Sequence, residues 1–171
     1  MHKLRDAPGG TQKDLKSQLE DISSSGEVYV LGLGNTDRAD DGAGVLVAQA
    51  LKGTFPDHAF SEHDGVEGKV LDISERGEGA TVFFVDAADI REMPGTVKVV
   101  RREDIKDREI TTHRVPVALM ASVLDKAGAS SAVICVQPET IEFRGRASEP
   151  VLRAVDEVVD ALRELMRARD R

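Results

Sequence analysis

The chain has 171 residues, 40% of them apolar, a single cysteine and a formal net charge of −8. This is enough chain for one domain whose core needs no covalent staple. One cysteine excludes an internal disulfide and a cysteine-based zinc site, and the acidic balance argues against non-specific binding to nucleic acid or an anionic membrane. No apolar run approaches the length needed to span a bilayer, and Met1 to Ser25 is too polar for a signal peptide, so a cytoplasmic protein with no membrane insertion is expected. A monomer is also expected.

In chain order, Met1 to Gly10 reads as a frayed arm, and Leu15, Leu19 and Ile22 have the spacing of a short amphipathic helix closed by Ser23-Ser24-Ser25-Gly26. Residues 1–26 are therefore set apart from a single α/β domain over 27–171. Val28 to Leu33 predicts a buried strand, and Asp41 to Gly53 a helix. A weaker strand over Ala59 to Asp64 precedes a helix from Glu67 to about Arg76. Thr81 to Val85, β-branched and aromatic with no charge, is the most strand-like stretch and is expected to stop at Asp86. Pro94-Gly95 marks a turn into an alternating strand, Thr96 to Val100, placed at an edge or antiparallel. A helix over Arg114 to Ala127 holds Pro116 in its first turn. Ala132 to Val136 is another buried strand. The last helix opens near Ser148-Glu149-Pro150 and carries a stripe of Val151, Leu152, Val155, Val158, Val159, Leu162 and Leu165. Strands alternating with helices predict a mostly parallel twisted sheet with helices on both faces, with Val28–Leu33, Thr81–Val85 and Ala132–Val136 at its centre.

Such sheets bind ligands beyond the carboxyl ends of their strands. That rule selects the loop after Leu33 and Asp86. The loop begins as a dinucleotide turn would, with Gly32-Leu33-Gly34, but the third glycine of that fingerprint is replaced by Asp37, and Asp40 and Asp41 stand where a pyrophosphate would bind. Carboxylates there repel a phosphate. One of Asp40 and Asp41 can cap the following helix. Capping needs only one of them and leaves Gly42 and Gly44 unexplained, so a cation or substrate site stays open beside it. Asp86 reads either as an Asx turn or as a site carboxylate. His113 lies in a Thr-Thr-His-Arg loop entering a helix, where the positive end of the dipole favours a neutral, ligating imidazole. Asp41, Asp86 and His113 together would offer an O,O,N set with open positions, suited to a borderline divalent ion. Cys135 falls inside a buried strand and reads as core.

The segments "LGLGNTDRADDGAG", "DGVEG", "VFFVDAADIREMPGTVKVV", "TTHRVPVALM" and "VICVQPETIEF" occur in one order across roughly Val28 to Leu165. Together they resemble the nickel–iron hydrogenase maturation endopeptidases, especially the branch acting on group 3 and group 4 type hydrogenases. The resemblance implies an endopeptidase that removes a C-terminal peptide from the large-subunit precursor once nickel is in place. It implies that Asp41, Asp86 and His113 touch that nickel and carry the catalytic role. It also implies that Asn35, Asp40, Gly42, Asp64 and Gly65 face the substrate. The nickel would arrive with the precursor, and another divalent cation could replace it in the isolated protein. The chain departs from the pattern in two places: some relatives carry glutamate at the Asp41 position, and Thr36-Asp37-Arg38 is polar where relatives are often apolar. A non-cleaving chaperone that binds nickel or the hydrogenase, and a small-molecule hydrolase on a similar scaffold, remain as alternatives.

Overall fold

The computed structural model describes residues 13–105 and 116–170. Five strands form one sheet: β1 (Val28–Gly32), β2 (Ala59–Ser61), β3 (Thr81–Ala87), β4 (Val97–Arg101) and β5 (Ser130–Val136), in the order β2-β1-β3-β5-β4. The first four positions are parallel, and β4 pairs antiparallel to β5 at the edge. The predicted sheet, its three central strands and its antiparallel edge strand are all present. Chain direction across the sheet reverses between β1 and β3, because the chain leaves β1 for β2 on one side and then returns to β3 on the other. Open α/β sheets bind ligands at such a switch point.

The central strands read as unbroken apolar runs because both of their faces are covered. Val28, Val30, Phe83, Val85, Ala132 and Ile134 belong to one core, under helices α1 (Leu15–Ile22), α2 (Ala43–Lys52) and α5 (Glu149–Arg169). Tyr29, Leu31, Val82, Phe84, Val133 and Cys135 belong to the other, under α3 (Val66–Arg76) and α4 (Val117–Lys126). Each fully buried large aliphatic is worth about 1.5–3 kcal/mol, so these two layers carry most of the stability. The expected separation of residues 1–26 does not extend to α1. Its Leu19 is fully buried in the same core as α5, and Lys16 pairs with Glu164.

Several boundaries shift for local reasons. Residues 39–42 form a 3-10 turn, and α2 starts only at Ala43. The strand β3 runs past Val85, so Asp86 lies within it; β5 continues alongside and pairs Asp86 with Cys135 and Ala87 with Val136. The weak strand ends at Ser61, where Glu62–Asp64 turn into a 3-10 segment. Pro116 is the N-cap of α4, one position before its first turn. The stripe of α5 holds except at Leu152, which is exposed, while Ala154, Ala161 and Met166 join the buried face.

Candidate active site at the carboxyl edge of the sheet

After β1 the chain folds back over itself. Gly34 adopts φ 122°, and a Cβ there would lie 1.8 Å from the carbonyl oxygen of Asp41. Only glycine allows this approach. Asn35 closes the turn by accepting the Asp37 N–H at 2.8 Å on its side-chain oxygen. Its own N–H donates to the Asp41 carbonyl at 3.3 Å and to the Asp41 carboxylate at 3.1 Å. Gly44 presses the start of α2 onto the strand ends, since a Cβ there would sit 2.0 Å from the Val85 oxygen and 2.5 Å from the Leu33 oxygen. The loop is thereby seated on the carboxyl ends of β1 and β3.

The two neighbouring aspartates take different partners, and neither caps α2, whose N-cap is Gly42 without a side-chain bond. Asp40 is fully buried. Its carboxylate accepts the N–H groups of Glu139 at 2.8 Å, Thr140 at 3.1 Å and Ser148 at 2.6 Å, and the Ser148 hydroxyl at 2.8 Å. Burial pushes this carboxyl up, but the N–H donors of Ser148, Thr140 and Glu139 and the Ser148 hydroxyl together outweigh it and hold it below its ordinary value. Asp40 was expected on the substrate side; it is instead the clamp that ties the loop after β1 to the loop between β5 and α5. Asp41 is half-buried, and its carboxylate accepts the Asn35 N–H within the same turn.

Asp86 is buried near the end of β3, next in register to the strand-end pair Gly32 and Val85. By alternation it shares the face of Phe84, the face covered by α3 and α4. Asp41 and Asp86 thus sit on neighbouring elements that flank the switch point. The Cys135 thiol opposite Asp86 is pushed up to about 12, first by burial and then by the Asp86 charge. It is core, as its sequence context implied. His113 lies outside the described residues, and among the described residues no group of three His, Cys, Asp or Glu side chains is arranged to hold a metal ion.

One strand further, at the carboxyl end of β2, a shallow groove is lined by Ala48, Gln49, Lys52, Ser61, His63 and Asp64. Asp64 pairs with Lys52 and accepts the Ser61 N–H at 2.9 Å, and these contacts hold its carboxyl below its ordinary value. Gly65 takes the left-handed conformation, φ 75°, that lets the chain turn from this segment into α3.

Sequence reasoning missed two residues that shape the site. Gln137, just past β5, is buried, and its side-chain oxygen accepts the N–H of Ile90 at 2.8 Å and of Glu92 at 3.3 Å, bracing the loop after β3. Ser148 was read only as a helix opener; it is the main partner of Asp40. A glutamine directly after a buried strand and ahead of a proline was the one available signal. Strain also gathers here. Among the described residues the three non-glycine positions with positive φ are Ala39 (48°), Arg91 (59°) and Arg144 (62°). They occupy the loops after β1, β3 and β5, all at the same end of the sheet. Strain of this kind persists where surrounding structure over-determines it, commonly at functional sites.

The sequence model of the HycI hydrogenase maturation protease family matches residues 70–164. The chain belongs to the hydrogenase maturation protease family. Among its relatives, the hydrogenase 3 maturation protease of Escherichia coli strain K12 is 27% identical over 138 residues, spanning 78% of this chain and 86% of the relative. The fold superposes on the crystal structure of a nickel–iron hydrogenase maturation protease, HycI, from Thermococcus kodakarensis with a TM-score of 0.74 and 25% identity, covering 88% of this chain and 99% of that one. It likewise matches the solution structure of the endopeptidase HycI from Escherichia coli, with a TM-score of 0.66 and 25% identity over 79% of this chain and 88% of that one. A maturation protease of this family therefore presents the acidic loop, Asp86 and the braced loops after β3 and β5 on one edge. Among the described residues no helix is long and apolar enough to cross a membrane.

Proposed function

We propose that the protein removes a C-terminal peptide from the large-subunit precursor of a nickel–iron hydrogenase, and that it reads the nickel of that precursor with Asp41, Asp86 and His113. The family match over residues 70–164 carries the reading. The endopeptidase HycI, similar over most of its length, supports the reaction type. Support for the residues comes from their positions. Asp41 and Asp86 flank the switch point, and His113 stands four residues ahead of α4, the helix that covers the face of Asp86. Two carboxylates and an imidazole suit a borderline ion that keeps other ligands of its own. The ion is part of the substrate. When docked, the ion would polarise the scissile carbonyl or acidify a bound water, while a carboxylate takes up the proton released as water adds and returns it to the amine nitrogen that leaves as the peptide C–N bond breaks. Asn35 and Gly42 shape the turn that presents Asp41, and Asp64, followed in the chain by Gly65, lines the groove at the end of β2, where the precursor chain would leave the site.

The test is to incubate nickel-loaded and nickel-free precursor with the protein and to measure the intact mass of the large subunit. Cleavage of the loaded precursor alone is expected. His113→Ala and Asp41→Asn should abolish it with little change in melting temperature, because Asp41 is only half-buried and a residue kept for the substrate's ion adds little to the core. Equal cleavage without nickel would remove the metal-reading role, and binding without any cleavage would leave a chaperone.

A further inference from the structure

The acidic loop is flanked by apolar side chains that the fold does not use. Six large hydrophobic side chains are exposed among the described residues, and three of them stand on the loops after β3 and β5: Met93 at 79% exposure, Ile141 at 49% and Phe143 at 68%. Both loops leave the same end of the sheet as the acidic loop, because β1, β3 and β5 are parallel. The loop after β5 touches the acidic loop directly: the Arg144 N–H donates to the Asp37 carbonyl at 2.6 Å, and Gly145 lies against Ala39. It is also fixed in place, through the four bonds to Asp40 on either side of Phe143. Gln137 braces the loop carrying Met93 in the same way.

We infer that these two loops form the docking lip for the precursor polypeptide, with Ile141, Phe143 and Met93 receiving apolar side chains from the stretch next to the cut. The inference rests on the endopeptidase reading above. Exposing a phenylalanine on a clamped, strained loop costs stability and solubility without any return inside the fold. On a recognition surface the same features are useful. A pre-ordered aromatic offers large contact area with little entropy left to lose, and such residues dominate binding energy. The Arg144 guanidinium lies 5.4 Å from the Phe143 ring centroid, so one side of the ring is already supported by a cation. Contiguity with the acidic loop decides the occupant. A chain lying across Phe143 reaches Asp37 and the Asp41 turn within a few residues, so the polypeptide that brings the nickel is the one that meets the lip.

The experiment measures steady-state cleavage of nickel-loaded precursor by wild type, Phe143→Ala, the Ile141→Ala/Phe143→Ala pair, Phe143→Tyr, and Leu71→Ala as an exposed apolar control on α3. In the double variant KM should rise about tenfold, the scale of a lost hot spot, with kcat and melting temperature nearly unchanged. Phe143→Tyr should retain near-normal KM, and Leu71→Ala should match wild type. Wild-type cleavage with an unchanged KM in the double variant overturns the docking lip alone. A wild type that cleaves no loaded precursor overturns the endopeptidase reading and the lip with it. A fall in kcat at constant KM would assign Phe143 to the chemistry and also overturn the proposal.

Discussion

Replacing Asp40 with Ala asks how much the clamp between the two loops is worth. The variant leaves the N–H groups of Glu139, Thr140 and Ser148 without their acceptor, together with the Ser148 hydroxyl. The hydroxyl can rotate to another partner; the three amides cannot. A fully buried donor left unsatisfied costs about 1–3 kcal/mol, and these amides, in part-buried bonds to a buried carboxylate, fall at the lower end. Three of them at the lower end, plus the lost charge-assisted bonds, give about 3–5 kcal/mol. For a chain of this length each kcal/mol lowers the melting temperature by about 2–4 °C, so a fall of about 6–20 °C is expected. Asp40→Asn should be milder, about 2 kcal/mol: its amide oxygen can keep the three donors of one carboxylate oxygen, while its NH2 group faces the Ser148 N–H. Urea unfolding followed by circular dichroism measures both. The pH dependence supplies a second arm. The folded carboxyl titrates below its unfolded value of about 3.9, so between the two values only the unfolded chain holds the proton. The contribution of the clamp is therefore whole above about pH 5 and is lost as pH falls through about 4 towards the folded value. The stability gap between wild type and Asp40→Asn should narrow on acidification; other carboxyls are common to both proteins and cancel. An Asp40→Ala protein within about 1 kcal/mol of wild type, with the same dependence on urea, would refute the reasoning.

Gly44→Ala should destabilise by at least about 1–3 kcal/mol, because its methyl meets two backbone oxygens that cannot yield without lifting α2 from the sheet. Gly53→Ala, with open space around it and an ordinary helical φ of −61°, should be neutral or stabilising by up to about 1 kcal/mol; melts of the two variants with the same sign would contradict the packing described. Cys135, with its thiol pushed up to about 12, should resist maleimide at pH 8 in the native protein and react fully in urea. Comparable labelling rates in the two conditions would place it at an accessible surface.

The sheet was legible in the chain because its determinants are local. Val82–Val85 and Ala132–Val136 are apolar at every position, which only a strand covered on both faces accommodates, and the Pro94-Gly95 turn announced an antiparallel edge. The α5 stripe was legible for the same reason, except at Leu152, whose angular position at the margin of the stripe depends on what packs against the first turn. The glycine pattern of the acidic loop was visible, though its meaning was not. That Gly34 and Gly44 each lie against a particular carbonyl is a fact about two segments meeting. The division of labour between Asp40 and Asp41 was beyond the chain altogether. Adjacent residues of one type have equal local chemistry, and only the return of the loop carrying Glu139, Thr140 and Ser148, about a hundred residues later, turns one carboxylate into a buried clamp and leaves its neighbour half-buried in the turn. The sequence by itself determined the layers and the edge at which chemistry gathers. The tertiary structure decided which of the polar groups at that edge hold the protein together, because hydrogen bonds that cross the chain have no signature in spacing.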